Sequence, residues 1–205
     1  MADGCTLLIL AGGHSRRMGR NKAALPTEPT TNPGRPSASV LNFVEHIANR
    51  LTPVVEEVIV AGGRSPAGLE GLHVVDDRYP GLGPLAGMHA GLQAAAQPWV
   101  WVVACDLPDV EPGLGKFMMG LADDAEAVVP RLDSGPEGLC AIYQRALAPR
   151  IETRLRAGER SVKSLLEEIS VRWLSPADLR SVDPELRSFL NINTPSDYEA
   201  WIRRR

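Results

Sequence analysis

Near its amino end the chain carries the stretch LLILAGGHSRRMGRNK, residues 7–22. The apolar run at 6–10 is typical of a buried β-strand, and it leads directly into Gly12 and Gly13. Because glycine has no Cβ, backbone N–H groups in such a turn can approach a bound anion closely. The stretch therefore predicts a strand followed by a loop that binds phosphate.

The charges around this loop agree with an anionic ligand. No acidic residue lies between Asp3 and Glu28, whereas the segment 16–22 is rich in arginine and lysine, on a chain whose net charge is −3. A local cationic site of this kind attracts a small anion rather than a long polyanion. The alternative is an ordinary glycine turn that carries solvated cations. The P-loop pattern G-x-x-x-x-G-K-[ST] cannot be fitted to the segment.

Beyond this stretch, short apolar runs alternate with segments of helical periodicity. Strands are predicted at residues 6–10, 58–61, 73–75, 100–104, 127–129, 139–143, 171–174 and 189–191. Helices are predicted at residues 40–51, 85–95, 114–122, 147–156, 162–169 and 196–202. Nearly continuous apolar runs are typical of central strands that are covered on both faces. We therefore expect an α/β fold with a mostly parallel sheet, in one domain over residues 1–205, with ligands beyond the carboxyl ends of the strands.

Composition excludes several classes of protein. Hydrophobic residues make up 44% and charged residues 23% of the chain, as in soluble globular proteins. A net charge of −3 argues against a nucleic-acid partner. No apolar stretch approaches the roughly 20 residues that cross a bilayer, so we expect no membrane association and a cytoplasmic location. The three cysteines show no C-x-x-C spacing, which predicts buried thiols rather than a zinc site.

Acidic residues follow the third and fourth predicted strands. Asp76 and Asp77 precede the segment GLGPLAG at 81–87, and Asp106 follows the most apolar strand of the chain. A carboxylate at the tip of a central strand can bind a magnesium ion that also contacts substrate phosphates. The alternative is that these aspartates lie at the surface or cap a helix, and we expect helix capping for Asp109.

The carboxyl-terminal segment FLNINTP, residues 189–195, carries two asparagines two positions apart. If it forms the last strand, alternation places Asn191 and Asn193 on one face. Asparagine amides both donate and accept hydrogen bonds, which suits a polar ligand. Capping of the last helix by Thr194 is the simpler interpretation of the end of this segment.

Taken together, these segments resemble the molybdenum cofactor guanylyltransferase family. Its members open on L-A-G-G-x-S-x-R-M-G-x-x-K, carry an acidic residue before G-P-L-A-G, and have F-x-N-x-N-T-P near the carboxyl end; the likeness here runs from Leu7 to Pro195. The resemblance implies a three-layer Rossmann-like sandwich of the nucleotide-diphospho-sugar transferase type. It also implies nucleotide contacts by Leu10, Ala11, Gly12, Gly13, Lys22, Asp77, Gly83, Gly87 and Asp106.

By the same resemblance, three residues are expected to be catalytic. Arg17 and Lys22 would hold phosphates, with Lys22 opposing the charge that builds on the transferred phosphate and on pyrophosphate. Asp106 would bind Mg²⁺, the expected cofactor. Asn191 and Asn193 would contact the pterin of the acceptor.

The implied reaction is transfer of GMP from GTP to a molybdopterin-type molybdenum cofactor, with molybdoenzymes or their chaperones as further partners. Cytidylyl transfer to molybdopterin and nucleotidyl transfer to a sugar phosphate are close alternatives. An NAD(P)-dependent oxidoreductase stays open as well, because residues 81–86 fit G-x-G-x-x-A and Asp106 follows about 20 residues later. A non-catalytic nucleotide-binding module is a further hypothesis. The chain departs from the family in a long segment at 26–39 and in Gly62-Gly63, where many members carry asparagine.

Overall fold

The computed structural model of the protein describes residues 4–12, 25–28, 41–62 and 71–204. Its strands are β1 (Cys5–Leu10), β2 (Glu57–Ala61), β3 (His73–Val75), β4 (Trp99–Ala104), β5 (Ala127–Leu132), β6 (Gly135–Pro136), β7 (Cys140–Gln144) and β8 (Val171–Leu174). Its helices are α1 (Phe43–Leu51), α2 (Pro84–Ala94), α3 (Pro112–Met119), α4 (Ala148–Arg156), α5 (Val162–Leu166), α6 (Pro176–Leu179) and α7 (Pro195–Arg203). The predicted α/β class is confirmed.

All described strands join one sheet in the order β3-β2-β1-β4-β7-β5-β6, and β8 pairs with β5. Strands β3, β2, β1 and β4 are mutually parallel, whereas β7 runs antiparallel to both β4 and β5. The sheet is therefore mostly parallel, as predicted. The carboxyl ends of β3, β2, β1 and β4 meet at one edge, which we call the carboxyl edge.

The two faces of the sheet are covered by different helices. On β1, Leu7 and Ile9 belong to a core shared with α1, α3 and α6, and Leu8 and Leu10 belong to a core shared with α2, α4 and α5. Each fully buried aliphatic side chain contributes about 1.5–3 kcal/mol. This alternation gives the helix–sheet–helix sandwich that the family resemblance implied.

Two glycines let α2 lie close against β1. A Cβ on Gly91 would collide with the side chain of Leu8, and one on Gly87 would lie 3.1 Å from Cδ2 of Leu10. Because Gly87 faces the carboxyl end of β1 and Gly91 faces its middle, the amino end of α2 points toward the carboxyl edge. This packing places Gly83, the residue before α2, near the site described below.

The predicted strand at 189–191 is wrong. Arg187–Phe189 form a 3-10 turn that follows Leu186, whose φ is 53°. The buried carboxylate of Asp183 accepts the backbone N–H groups of Arg187 at 3.0 Å and Ser188 at 2.8 Å. These local hydrogen bonds satisfy groups that a strand would have paired with a neighbour. Sequence reasoning also missed two short elements, β6 and α6.

All three cysteines are buried and free of disulfides, as predicted. Burial raises the pKa of the Cys5 thiol to about 12, so this sulfur stays protonated near neutral pH. None of the helices in the described ranges is long and apolar enough to cross a bilayer.

Candidate functional site

The loops after β1, β2 and β4 leave the sheet together at the carboxyl edge. The N–H of Ala11 donates to the carbonyl of Ala61 at 2.9 Å, and the N–H of Cys105 donates to the carbonyl of Leu10 at 3.1 Å. These bonds continue the parallel pairing one residue beyond the strands. The glycine-rich loop therefore starts beside the segment that carries Asp106.

Gly12 and Gly62 approach each other so closely that a side chain at either position would force the backbones apart. A Cβ on Gly12 would lie 3.0 Å from Cα of Gly62, which itself has a φ of +82°. Glycine at position 62 thus suits both a left-handed conformation and a close backbone approach. The side chain of Leu10 is buried, so any nucleotide contact by Leu10 is through its backbone. Gly13, Arg17 and Lys22 lie outside the described residues, and their roles stay predictions.

Asp77, rather than Asp76, is held in place at the end of β3. Its Oδ1 accepts the backbone N–H of Tyr79 at 2.7 Å, and it is half-buried where Asp76 is exposed. Such a bond orients one carboxylate oxygen and leaves the other for a ligand. The geometry agrees with the preference for Asp77 that the resemblance implied.

The segment before α2 combines a left-handed glycine with a helix amino end. Gly83 has a φ of +77° and precedes Pro84 without a side-chain cap. Pro84 has no N–H and the N–H of Ala86 donates to the carbonyl of Gly83 at 3.2 Å, so it is mainly the helix dipole that makes this end favourable for an anion. Gly87 is buried against Leu10, so packing alone explains glycine at that position, and its contact with the nucleotide stays a prediction.

Asp106 lies directly beside the carboxyl-terminal asparagines. It is half-buried, and its carbonyl accepts the backbone N–H of Ile192 at 2.9 Å. Because Ile192 is buried, this bond fixes the segment that carries Asn191 and Asn193, of which the first is exposed and the second half-buried. The structure thus brings the predicted acceptor residues to the predicted metal ligand, although an irregular segment rather than a strand places them there.

Glu137 is a further carboxylate at this edge that sequence reasoning missed. It is half-buried in the segment before β7, where the N–H of Ala104 donates to the carbonyl of Leu139 at 2.9 Å. Burial raises the pKa of Glu137 above its ordinary value, the hydrogen bond from Ser134 lowers it, and the negative charge of Asp106 raises it further. The sequence offers no signal for this proximity, because it depends on the antiparallel placement of β7 beside β4.

The donor set at this edge fits a magnesium ion. Within the described ranges, no three His, Cys, Asp or Glu residues form a complete metal cage. Magnesium commonly takes one or two carboxylates and completes its shell with water and substrate phosphates. The carboxylate of Asp106 offers such an oxygen donor, and its negative charge, which contributes to the raised pKa of Glu137, is one that a divalent cation would neutralise.

The expected helix cap at Asp109 is wrong. The residue before α3 is Glu111, which makes no side-chain cap, and Asp109 Oδ1 instead accepts the indole N–H of Trp201 at 2.9 Å. Since Trp201 belongs to α7, this bond ties the segment after Asp106 to the last helix. The predicted cap at Thr194 is confirmed, as part of a capping box with Asp197.

The sequence is similar to that of known nucleotidyltransferases over most of its length. A family model described as the MobA-like NTP transferase domain matches residues 7–173. A probable molybdenum cofactor guanylyltransferase from Pelotomaculum thermopropionicum is 38% identical over 94% of this chain and 89% of that protein. A molybdenum cofactor guanylyltransferase from Desulfosudis oleivorans is 33% identical over 96% of this chain and 94% of its own.

A solved structure agrees with these sequence relatives. The molybdopterin-guanine dinucleotide biosynthesis protein A from Archaeoglobus fulgidus superposes with a TM-score of 0.78 at 26% identity, covering 97% of each chain. The similarity therefore includes the carboxyl-terminal part of the chain as well as the glycine-rich loop.

Proposed function

The chain belongs to the MobA-like NTP transferase family, and on that basis we propose that it transfers GMP from GTP to a molybdopterin-type molybdenum cofactor, releasing pyrophosphate. The family makes the protein a nucleotidyltransferase, of the nucleotide-diphospho-sugar transferase fold. One observation carries the proposal. Backbone hydrogen bonds join Cys105 to the end of the glycine-rich strand and Ile192 to Asp106, which supports a donor site and an acceptor site that adjoin at Asp106.

The proposed chemistry is electrostatic. An acceptor phosphate must attack the α-phosphate of GTP while two anions approach each other, and a divalent ion, which nucleotidyltransferases of this type generally use, offsets that repulsion when bound. We propose Mg²⁺, with Asp106 as its protein ligand. Arg17 and Lys22 would hold the phosphates, and Lys22 would stabilise the leaving pyrophosphate. A single domain, a cytoplasmic location and the partner enzymes stay predictions.

The oxidoreductase alternative is not supported. The chain matches a nucleotidyltransferase family over residues 7–173. The segment at 81–86 is also separated from β3 by the loop of Asp76 to Pro80, whereas a dinucleotide fingerprint forms the turn directly after its strand.

The first prediction concerns the nucleotide. With Mg²⁺ present, calorimetry should show GTP binding more tightly than CTP or ATP, and labelled GTP with molybdopterin should yield a guanine dinucleotide product. The control omits molybdopterin, which should abolish the product but not the binding. A clear preference for CTP would replace guanylyl with cytidylyl transfer.

The second prediction concerns the acceptor. Replacing Asn191 and Asn193 together with alanine should raise KM for molybdopterin by about tenfold or more, because unpaired polar partners cost about 1–3 kcal/mol each. The Kd for GTP should change little. Asn49→Ala, on the exposed surface of α1, serves as the matched control. Equal loss of GTP and molybdopterin binding would contradict an acceptor role.

A further inference from the structure

The loop between β3 and α2, residues 76–83, carries Asp77 and Gly83 but has little support from the sheet. β3 has three residues, pairs only with β2 among the described strands, and lies at the end of the strand order. The loop closes on itself with one turn, in which the N–H of Leu82 donates to the carbonyl of Tyr79 at 3.2 Å. Its position must therefore be set by contacts with another element.

Tyr79 and Leu82 pack against the core formed with α2, α4 and α5, and the polar contacts of the loop come from α4 through Tyr79. The Tyr79 hydroxyl donates to Oε1 of Glu152 at 2.9 Å. Arg156 donates to the same oxygen through Nη2 at 2.9 Å and to the Tyr79 hydroxyl through Nε at 3.4 Å. Tyr79, Glu152 and Arg156 form a closed triangle of hydrogen bonds, which we call the Tyr79 anchor. We infer that the Tyr79 anchor positions Asp77 for nucleotide binding, an inference that rests on the proposed function.

The link from the anchor to Asp77 is direct. The backbone N–H of Tyr79 donates to Oδ1 of Asp77 at 2.7 Å, so fixing the Tyr79 side chain also fixes the donor that orients this carboxylate. The tyrosine ring packs edge-on against buried His89 of α2, with ring centroids 5.5 Å apart. Tyr79 is thus held by α4 through its hydroxyl and by α2 through its ring.

The charges of the anchor are arranged to keep these hydrogen bonds. The hydrogen bond from Tyr79 is the main cause of a lowered pKa at Glu152, and the positive charge of Arg156 lowers it further. Glu152 therefore stays ionised and accepts both donors. Hydrogen bonds to a charged acceptor are the stronger class, so the Tyr79–Glu152 bond restrains the loop together with the ring contact on His89.

Tyr79→Phe tests the inference, since it removes the hydroxyl and keeps the ring on His89. The Kd and KM for GTP should rise about threefold to tenfold, the range expected when the hydrogen bonding of one hydroxyl is lost. The value of kcat and the KM for molybdopterin should stay near those of the wild type. A purely structural contact would instead lower the melting temperature and leave the Kd for GTP unchanged.

Two companion variants of Glu152 sharpen the test. Glu152→Ala should reproduce the effect of Tyr79→Phe, and the double variant should bind GTP no more weakly than the weaker-binding single variant, because both changes remove the Tyr79–Glu152 hydrogen bond. Glu152→Gln keeps an oxygen acceptor and should restore most of the GTP affinity. The matched control is Arg150→Ala, also on α4, which removes the ion pair of Arg150 with Glu126 just before β5 and does not touch the loop.

Unchanged GTP affinity in Tyr79→Phe, or additive effects in the double variant, would overturn the inference. The same experiment distinguishes failure of this inference from failure of the proposed guanylyl transfer. If the wild type prefers another nucleoside triphosphate, that nucleotide replaces GTP in the same comparison, and weaker binding of it by Tyr79→Phe still supports the anchor.

Discussion

Asp106→Asn is expected to lower GMP transfer by roughly a hundredfold to a thousandfold while the protein stays folded. Asparagine has nearly the same size but no charge, so it can no longer neutralise a bound cation. Asp106 is half-buried, and after burial its negative charge is a further cause of the raised pKa of Glu137, so losing this charge should leave the melting temperature equal or higher. The tightening of GTP binding by Mg²⁺ should disappear as well.

The measurement pairs steady-state transfer with calorimetry at several magnesium concentrations. Asp124→Asn makes the same chemical change at an exposed position between α3 and β5 and should behave as the wild type. If Asp106→Asn transfers GMP at a near-normal rate with unchanged magnesium dependence, Asp106 is not the metal ligand and the site must be assigned differently.

Gly12→Val is expected to weaken GTP binding by roughly a hundredfold, the second large effect. Its Cβ would lie 3.0 Å from Cα and 3.1 Å from the carbonyl carbon of Gly62, and backbone atoms cannot rotate away as a side chain can. The loops after β1 and β2 must then separate, which displaces the start of the glycine-rich loop. Overpacking of this kind also costs about 1–3 kcal/mol of stability.

The control is the same glycine-to-valine substitution at a position with open space for the added Cβ. It shows whether the effect at Gly12 comes from the steric clash or from replacing a glycine as such. Gly113 lies exposed in α3, where a Cβ would meet nothing within 4 Å, so Gly113→Val should keep normal GTP affinity. Gly12→Ala should fall between Gly12→Val and the wild type, because it adds only the first carbon. Normal GTP binding by Gly12→Val would show that the approach of Gly12 to Gly62 has no role in the site.

Many of the strands and helices could be predicted because local sequence patterns specify them. β1 and β4 are buried on both faces. Their nearly continuous apolar sequences indicate such strands without any information about the neighbouring elements. The helix start at Thr194 was equally readable, since a capping box is made by residues three apart. The strand prediction for residues 189–191 was wrong because the structure there depends on a contact that the local pattern does not show. Its apolar residues are typical of a strand, but the carboxylate of Asp183 captures the preceding backbone N–H groups.

The sequence by itself determined which residue types stand at the ends of the strands, namely the glycines after β1, Asp77 after β3 and Asp106 after β4. Only the tertiary structure decided what lies beside them. Ile192 reaches Asp106 from a segment 86 residues away along the chain, Glu152 reaches Tyr79 across 73 residues, and Glu137 reaches the site through the antiparallel placement of β7. Local patterns specify strands and turns, whereas strand order and helix docking depend on how all the buried surfaces fit together at once.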